Sequence, residues 1–340
     1  MAWPAPLLDD FLGKPVWLWL AFIGLVIVLL VLDLGVLNRR AREISASRSL
    51  WLSLFYITIA CAFGGFVWWE LGRDSGMNYF TGFFIEKTLA LDNIFVISLI
   101  FSVLAVPRHL QHRVLFWGIL GVIVLRAIMI GLGAALVERF DWVLLLFGAF
   151  LLATGVKLLI MGEKPADMAD SPVLRITRRL FRVTDGLHGD RFVVRLPDPA
   201  TGRSAMWVTP LFVALVMVEV ADLIFAVDSV PAIFAITTDP YIVYTSNIFA
   251  ILGLRALYFA LAAMVHRFRY LKPALALVLV FIAGKIFWSY AYGKVDPAFS
   301  LSVTLILLAG GVAVSLLLTR DEETAHAAAT APGEETHVPR

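Results

Sequence analysis

The sequence predicts an all-α membrane protein of about nine transmembrane helices, in which spans 3-5 and 6-8 form an inverted 3+3 internal repeat. Three observations carry this. The 340-residue chain is 60% hydrophobic and 16% charged, with a mean hydropathy of +0.87, whereas a soluble domain is closer to half apolar and a quarter charged. The apolar excess is gathered into long runs, close to the roughly 20 residues a helix needs to cross a hydrocarbon core. Charged positions also recur in the same order in two parts of the chain. A β-barrel would show short alternating segments instead.

The first run spans 17–37. The residues before it hold Lys14, Asp9 and Asp10 and lack the basic start of a cleaved signal peptide, so span one is expected to be retained. Near its inner end lies Asp33, which either joins a buried site or pairs with nearby Arg39 or Arg40. Span two, 50–71, contains the only cysteine, Cys61, among small and apolar neighbours. One cysteine excludes an internal disulfide framework and a cysteine metal cluster. Span three, 79–105, carries Glu86-Lys-Thr-Leu-Ala-Leu-Asp92-Asn93, and span four, 113–137, carries Arg126. Span five, 141–161, carries Lys157. The segment 162–206 reads as a basic cytoplasmic loop in which Phe192–Leu196 and Met206–Val208 are expected to form a small hairpin. Its Arg175-Ile-Thr-Arg-Arg179 run is a candidate lipid contact.

Span six, 207–236, carries Glu219, Asp222, Asp228 and Ser229; span seven, 242–265, carries Arg255; span eight, 272–292, carries Lys285; span nine is 299–319. The polar tail 321–340 reads as disordered. The polytopic transmembrane domain is therefore 1–320, with repeat A at 79–161 and repeat B at 207–292. Most of the tryptophans, Trp207 included, lie near span ends and fit interfacial belts. Gly131-Leu-Gly133 and Gly310-Gly311 permit close helix contact.

Orientation follows from the loops. Those after spans one, three, five and seven carry clusters such as Arg39, Arg40 and Arg42, or Arg267, Arg269 and Lys272, whereas the alternate loops carry at most one basic residue. Positive charge favours the cytoplasmic side, which sets the N-terminus outside and the C-terminus inside. The formal net charge of +2 gives no sign of a nucleic-acid partner.

The repeat rests on Glu86, Arg126 and Lys157 matching Asp222, Arg255 and Lys285, at separations of 136, 129 and 128 positions. A unit of three helices is odd, so the copies lie in opposite orientations, as in many secondary transporters with a site near the midplane.

The candidate site is Glu86, Asp92, Asn93, Glu219, Asp222, Asp228 and Ser229, with Arg126, Arg255, Lys157, Lys285 and Asp33 as supporting charges. A lone charge at the bilayer centre costs about 2.5–3.5 kcal/mol, so these acids must meet one another, bases, water or a cation. Carboxylate, amide and hydroxyl oxygens without histidine or cysteine suit hard ions such as Mg²⁺, Ca²⁺ or Mn²⁺. Six residues of straight helix place Glu86 and Asp92, like Asp222 and Asp228, about 120° apart. Either each pair spans two depths of one cavity or the helix is interrupted. Pro231 favours a break in span six, because its ring clashes with the carbonyl of Val227. The bases are either structural clamps or clamps that release the acids to metal or protons.

At these residues the chain resembles the TerC family of bacterial integral membrane proteins. The carrying segments are Glu86–Asn93, Glu219–Pro240 and Ser246–Tyr258, and the nearest likeness is to the Alx branch. The resemblance implies a LysE-like transporter fold and export of Mn²⁺ across the bacterial cytoplasmic membrane, with the family's membrane acids falling on Glu86, Asp92, Glu219, Asp222 and Asp228 and Asn93 as a polar companion. The expected partners are the lipid bilayer, a divalent cation and exchanged protons, with no nucleic acid; no resident cofactor is expected, and no protein partner is identified. The chain has no Walker motif, and no nucleophile or protease motif that would make it an enzyme. The alternative is a membrane scaffold, assembly or tellurite-type stress-resistance protein, with the acids and bases as internal staples.

Overall fold

The structure is a computed structural model that describes residues 9–35, 46–140, 142–161, 171–197, 203–261 and 271–330; for a few of these, Asp92 among them, it describes the backbone alone. Arg39, Arg40, Arg42, Lys164, Arg267 and Arg269 lie outside the described residues.

A short hairpin, β1 (Asp10–Phe11) and β2 (Lys14–Pro15), leads into α1 (Val16–Gly35). There follow α2 (Ala46–Leu71), α3 (Arg73–Val103), α4 (Arg108–Arg139) and α5 (Trp142–Met161). A small extramembrane unit comprises α6 (Pro172–Leu180) and the antiparallel strands β3 (Val193–Pro197) and β4 (Ser204–Val208), paired Val193 to Val208 and Arg195 to Met206. The chain re-enters the bundle as α7 (Pro210–Phe234), α8 (Pro240–Leu252), α9 (Leu254–Leu261), α10 (Leu271–Tyr292) and α11 (Pro297–Thr330). The hairpin foreseen in 162–206 is present, with Trp207 on β4 shortly before α7 begins. The helix α6 is an addition to the reading of that segment as a linker.

Among the described residues, eight helical segments are long and apolar enough to cross a membrane, with α8 and α9 counted as one. The helix α3 has 31 residues, about 46 Å at 1.5 Å per residue, and is long enough as well. It is set apart by Glu86, Lys87 and Asp92, three charges in its middle. It can hold them because it runs through the bundle, packed on α2, α7, α8 and α11, rather than along its rim.

Two expectations about continuity change. α7 runs unbroken through Pro231. The proline sits three residues before the helix ends at Phe234, so only the last turn lies beyond the Val227 carbonyl that its ring crowds and leaves without a donor, and Ala235 N closes on Pro231 O. The interruption lies in span seven, at Gly253 between α8 and α9. At the C-terminus, the backbone stays helical through Thr330, where a disordered tail is expected from residue 321. Alanine is the best helix former and glutamate a good one, and Asp321–Thr330 is rich in both.

Five of the helix contacts form a matched set. α3 packs on α8 and α4 on α7; α3 meets α7, α4 meets α8, and α5 lies along α10. Exchanging α3, α4 and α5 for α7, α8 and α10 leaves this pattern unchanged. Close approaches use glycine where the sequence offers it. A Cβ on Gly133 would lie 2.6 Å from the Phe234 ring, and one on Gly155 2.9 Å from the Ala276 carbonyl oxygen; Gly310, by contrast, faces open space.

The two ends of the bundle are distinct. The β1–β2 turn, the end of α4 and the starts of α5 and α8 surround a cavity of about 530 Å³, beside which Lys14 and Asp239 form an ion pair of 2.9 Å. At the other end Tyr258 of α9 donates to Gln111 of α4 at 3.1 Å, and Arg113 of α4 pairs with Asp190 of the extramembrane unit. The basic start of α4 and the extramembrane unit therefore adjoin at one end.

Candidate cation site

Arg126 sits near the middle of α4, 1% exposed, where α3, α7 and α8 converge. Its guanidinium meets Asp222 of α7 side-on, Nε to Oδ2 at 3.2 Å and Nη2 to Oδ1 at 3.0 Å. The remaining nitrogen, Nη1, donates to Glu86 Oε1 of α3, to Ser229 Oγ at 3.1 Å and to Asn247 Oδ1 of α8 at 3.1 Å. Asn247 Nδ2 returns a bond to Glu86 Oε2 at 3.1 Å, and Asn93 Nδ2 reaches Asp222 Oδ1 at 3.3 Å. All six side chains are buried.

Two carboxylates therefore share one guanidinium, and with both ionised one negative charge is left over. Burying ions is costly even when they are paired, and an unbalanced set is more so. The donor supply is also uneven. Asn93 Oδ1 is buried and accepts no hydrogen bond from the described residues.

Asn93 lines two small cavities on either side of the cluster. One, of about 50 Å³, is also walled by Asp228, Ser229, Arg126 and Thr154. The other, of about 20 Å³, is walled by Asp222 and apolar groups of α4 and α7. Either volume exceeds the roughly 10–15 Å³ a single water requires. Asp228 accepts a bond from Thr154 Oγ1 of α5 at 3.4 Å. Because α7 is continuous, the six-residue spacing is expressed as two faces, with Asp222 turned to α4 and Asp228 to α5.

The structure thus brings together Glu86, Asn93, Asp222, Ser229 and Arg126, with Asp228 on the wall of the adjoining cavity. The Asp92 side chain lies outside what is described; its backbone precedes Asn93 on unbroken α3. Glu219 stands apart. Its carboxylate lies against Gly121 of α4, where a Cβ would fall 2.0 Å from Oε1, and its Oε2 is buried without a hydrogen-bond partner among the described residues. Asp33 pairs with Arg255 of α9, whose Nη2 also donates to the Asp33 carbonyl at 3.2 Å; Arg39 and Arg40, the partners expected for it, lie outside the described residues. Arg255 is thus buried like Arg126 but serves α1. Lys157 is exposed and Lys285 half-buried, and neither joins the Arg126 cluster. Among the described residues, no three His, Cys, Asp or Glu side chains stand close enough to hold a metal by themselves.

Three participants escape the sequence reading. Asn247 closes the ring between Arg126 and Glu86, Thr154 holds Asp228, and Lys87 Nζ donates to the Ala250 carbonyl at 3.0 Å beside the Gly253 interruption. Only the last carried a signal, a lysine adjoining Glu86 in an otherwise apolar run.

Residues 71–323 match the profile of the "Integral membrane protein TerC family". Over 299 residues the chain is 48% identical to an "Uncharacterized membrane protein" of Rickettsia bellii, covering 88% of this chain and 97% of that one. It is 45% identical over 310 residues to "Uncharacterized membrane protein STKORF319" of Myxococcus xanthus, covering 91% and 95%. It is also 45% identical over 283 residues to the Escherichia coli protein named "Putative membrane-bound redox modulator Alx", covering 81% and 86%. No solved structure matches.

Proposed function

This chain belongs to the TerC family of integral membrane proteins, and from that premise we propose that it is a secondary transporter that exports a divalent cation, Mn²⁺ first among candidates, across the bacterial cytoplasmic membrane. The observation that carries this is the buried 2:1 ratio of carboxylates to guanidinium around Arg126. A cluster with one negative charge in excess, beside a cavity walled by Asp228 and the unsatisfied Asn93 oxygen, attracts a cation. Its donors are oxygens, the class that hard divalent ions take.

In this mechanism Arg126 competes with the ion for the carboxylates. The ion binds against Asp228, Asn93 and Ser229, with Asp92 on the neighbouring position of α3, and draws Asp222 from the guanidinium. The unchanged contact pattern on exchange of α3–α5 with α7–α10 supports two copies related in opposite orientation. Rocking of one copy against the other would expose the site to each side in turn. Carboxylates that release metal can take up protons, so the transporter exchanges H⁺ for the ion. On this reading the basic end of the bundle faces the cytoplasm, and the C-terminus lies inside.

Uptake of Mn²⁺, Ca²⁺ and Mg²⁺ into inverted vesicles, for the native chain and for Asp92→Asn, tests the reading. Uptake abolished in a folded variant supports it, and unchanged uptake refutes a role for that acid. Proteoliposomes that show no metal-dependent pH change would remove the proton step.

A second reading is favoured by one observation, that Glu86 and Asp222 are already held by Arg126. On it the chain is a membrane scaffold or assembly factor and the charges are staples. Asp228→Asn separates the two: a carrier loses transport and keeps its fold, whereas a staple loses its fold.

A further inference from the structure

We infer that α6 is an interfacial anchor that binds anionic phospholipid headgroups of the leaflet at the basic end of the bundle. The helix Pro172–Leu180 is short but firmly started, since Ser171 Oγ accepts from Leu174 N at 3.2 Å. At 100° per residue it presents three separate faces. Leu174 and Thr177 form the buried face, and Leu174 joins the core cluster of Leu211 and Val213 at the base of α7. Arg175, Arg178 and Arg179 occupy a second, exposed arc. Ile176 and Leu180 share the third face, about 130° round from the centre of the basic arc. These two are 56% and 72% exposed and, four positions apart, form one apolar patch that an apolar phase would cover.

The position of α6 supplies that phase. The ring of Phe181, which follows α6, packs edge-on against Phe212 in the first turn of α7, with centroids 5.3 Å apart. The following residues are tied to β4, Val208 N to Arg182 O and Thr184 N to Val208 O, both at 2.9 Å. The unit is also braced on the start of α4, where Arg113 pairs with Asp190 and lies 5.5 Å over the Phe192 ring. α4 and α7 both begin their membrane crossings there, so α6 lies at the depth of the headgroups. A helix with an apolar face in the acyl boundary and arginines among phosphates is the interfacial arrangement, and positive charge complements only anionic lipid. The inference rests on membrane insertion and not on the transported ion.

The test uses the full chain with Cys61→Ala and Ile176→Cys, labelled with an environment-sensitive fluorophore and reconstituted in phosphatidylcholine with or without phosphatidylglycerol. The expected result is blue-shifted emission quenched by nitroxides near the top of the acyl chain, with quenching strengthened by phosphatidylglycerol and weakened by salt. Native mass spectrometry of the full chain with Arg175→Gln, Arg178→Gln and Arg179→Gln should show phosphatidylglycerol affinity lower by about fivefold per arginine. Solvent-like emission in both lipids would overturn the inference. So would unchanged lipid retention in the arginine variants, or a blue shift in detergent that grows with protein concentration, which would assign the face to a second copy of the chain.

Discussion

Arg126 and Asp222 meet through a two-point fork, Nε to Oδ2 and Nη2 to Oδ1, that joins α4 to α7 across the middle of the bundle. A second arginine, Arg255, is also buried but turns to Asp33 of α1. The two buried arginines are therefore used differently. Arg126 holds acids of α3 and α7, and Arg255 fastens α9 to α1.

Removing the guanidinium leaves Glu86 and Asp222 buried with amide donors but without their shared countercharge. Arg126→Met should destabilise the protein by about 3–5 kcal/mol, the usual cost of breaking one side of a buried pair. Adding Glu86→Gln and Asp222→Asn to that variant should recover most of the loss, because no buried charge remains in the cluster. Thermal unfolding of the three proteins in detergent checks this. A triple variant no more stable than Arg126→Met would mean that the arginine acts through packing rather than charge.

The two aspartates of α7 should behave alike in stability and function, for different reasons. Asp222→Asn converts a 2:1 cluster into a 1:1 pair, with Glu86 still on Arg126, and should fold. Asp228→Asn keeps an oxygen for Thr154 and should also fold. Each removes one charged oxygen donor, a contact of about 1.5–3 kcal/mol, so cation uptake should fall about ten- to hundredfold. Uptake by vesicles normalised to folded protein measures it; a loss of folded protein in both variants would favour the scaffold reading.

The acids were legible in the sequence because a charge in an apolar run is conspicuous, and Glu86, Asp222 and Arg126 could be picked out for that reason alone. Their pairing was not legible: nothing in Val124–Ala127 or Gly253–Ala256 distinguishes an arginine that faces two carboxylates from one that faces α1. Asn247 and Thr154 were missed because uncharged polar residues are ordinary in membrane helices. The break was assigned to Pro231 on backbone chemistry, yet a proline in the last turn disturbs little. At Gly253 the break lies beside Lys87, which reaches in from another helix to occupy the Ala250 carbonyl. Local pattern could not reveal a partner 163 positions away. The eight candidate spans among the described residues, by contrast, follow from length and composition, and their helices lie where the apolar runs do.

The close fit of α5 on α10 predicts a strong contrast between glycines. A Cβ at Gly155 would meet Val280 Cγ2 at 2.8 Å and the Ala276 carbonyl at 2.9 Å, and the carbonyl belongs to backbone that cannot swing aside. Gly155→Ala should cost about 1–3 kcal/mol, as overpacking does. Gly310→Ala in α11 meets nothing within 4 Å and should raise stability by about 0.5–1 kcal/mol through helix propensity. Melting temperatures of the two variants, compared with the native chain, should move in opposite directions.

The last prediction concerns Lys87 and the interruption of span seven. Breaking a helix within the membrane leaves backbone carbonyls without amide donors, a cost that neighbouring polar groups must offset. Lys87 Nζ does this for Ala250, and Gly253 makes room for it, since a Cβ there would lie 3.0 Å from the ammonium. Lys87→Met should therefore orphan the carbonyl and cost about 1–3 kcal/mol. Lys87→Gln, which can still donate, should recover part of it. Gly253→Ala should displace the lysine and produce the same defect, so the double variant with Lys87→Met should cost less than the sum of the singles. Hydrogen exchange should rise at the α8–α9 junction in the methionine variant and stay near native in the glutamine one. Strict additivity of the two single variants would mean that the lysine and the break are independent features of the bundle.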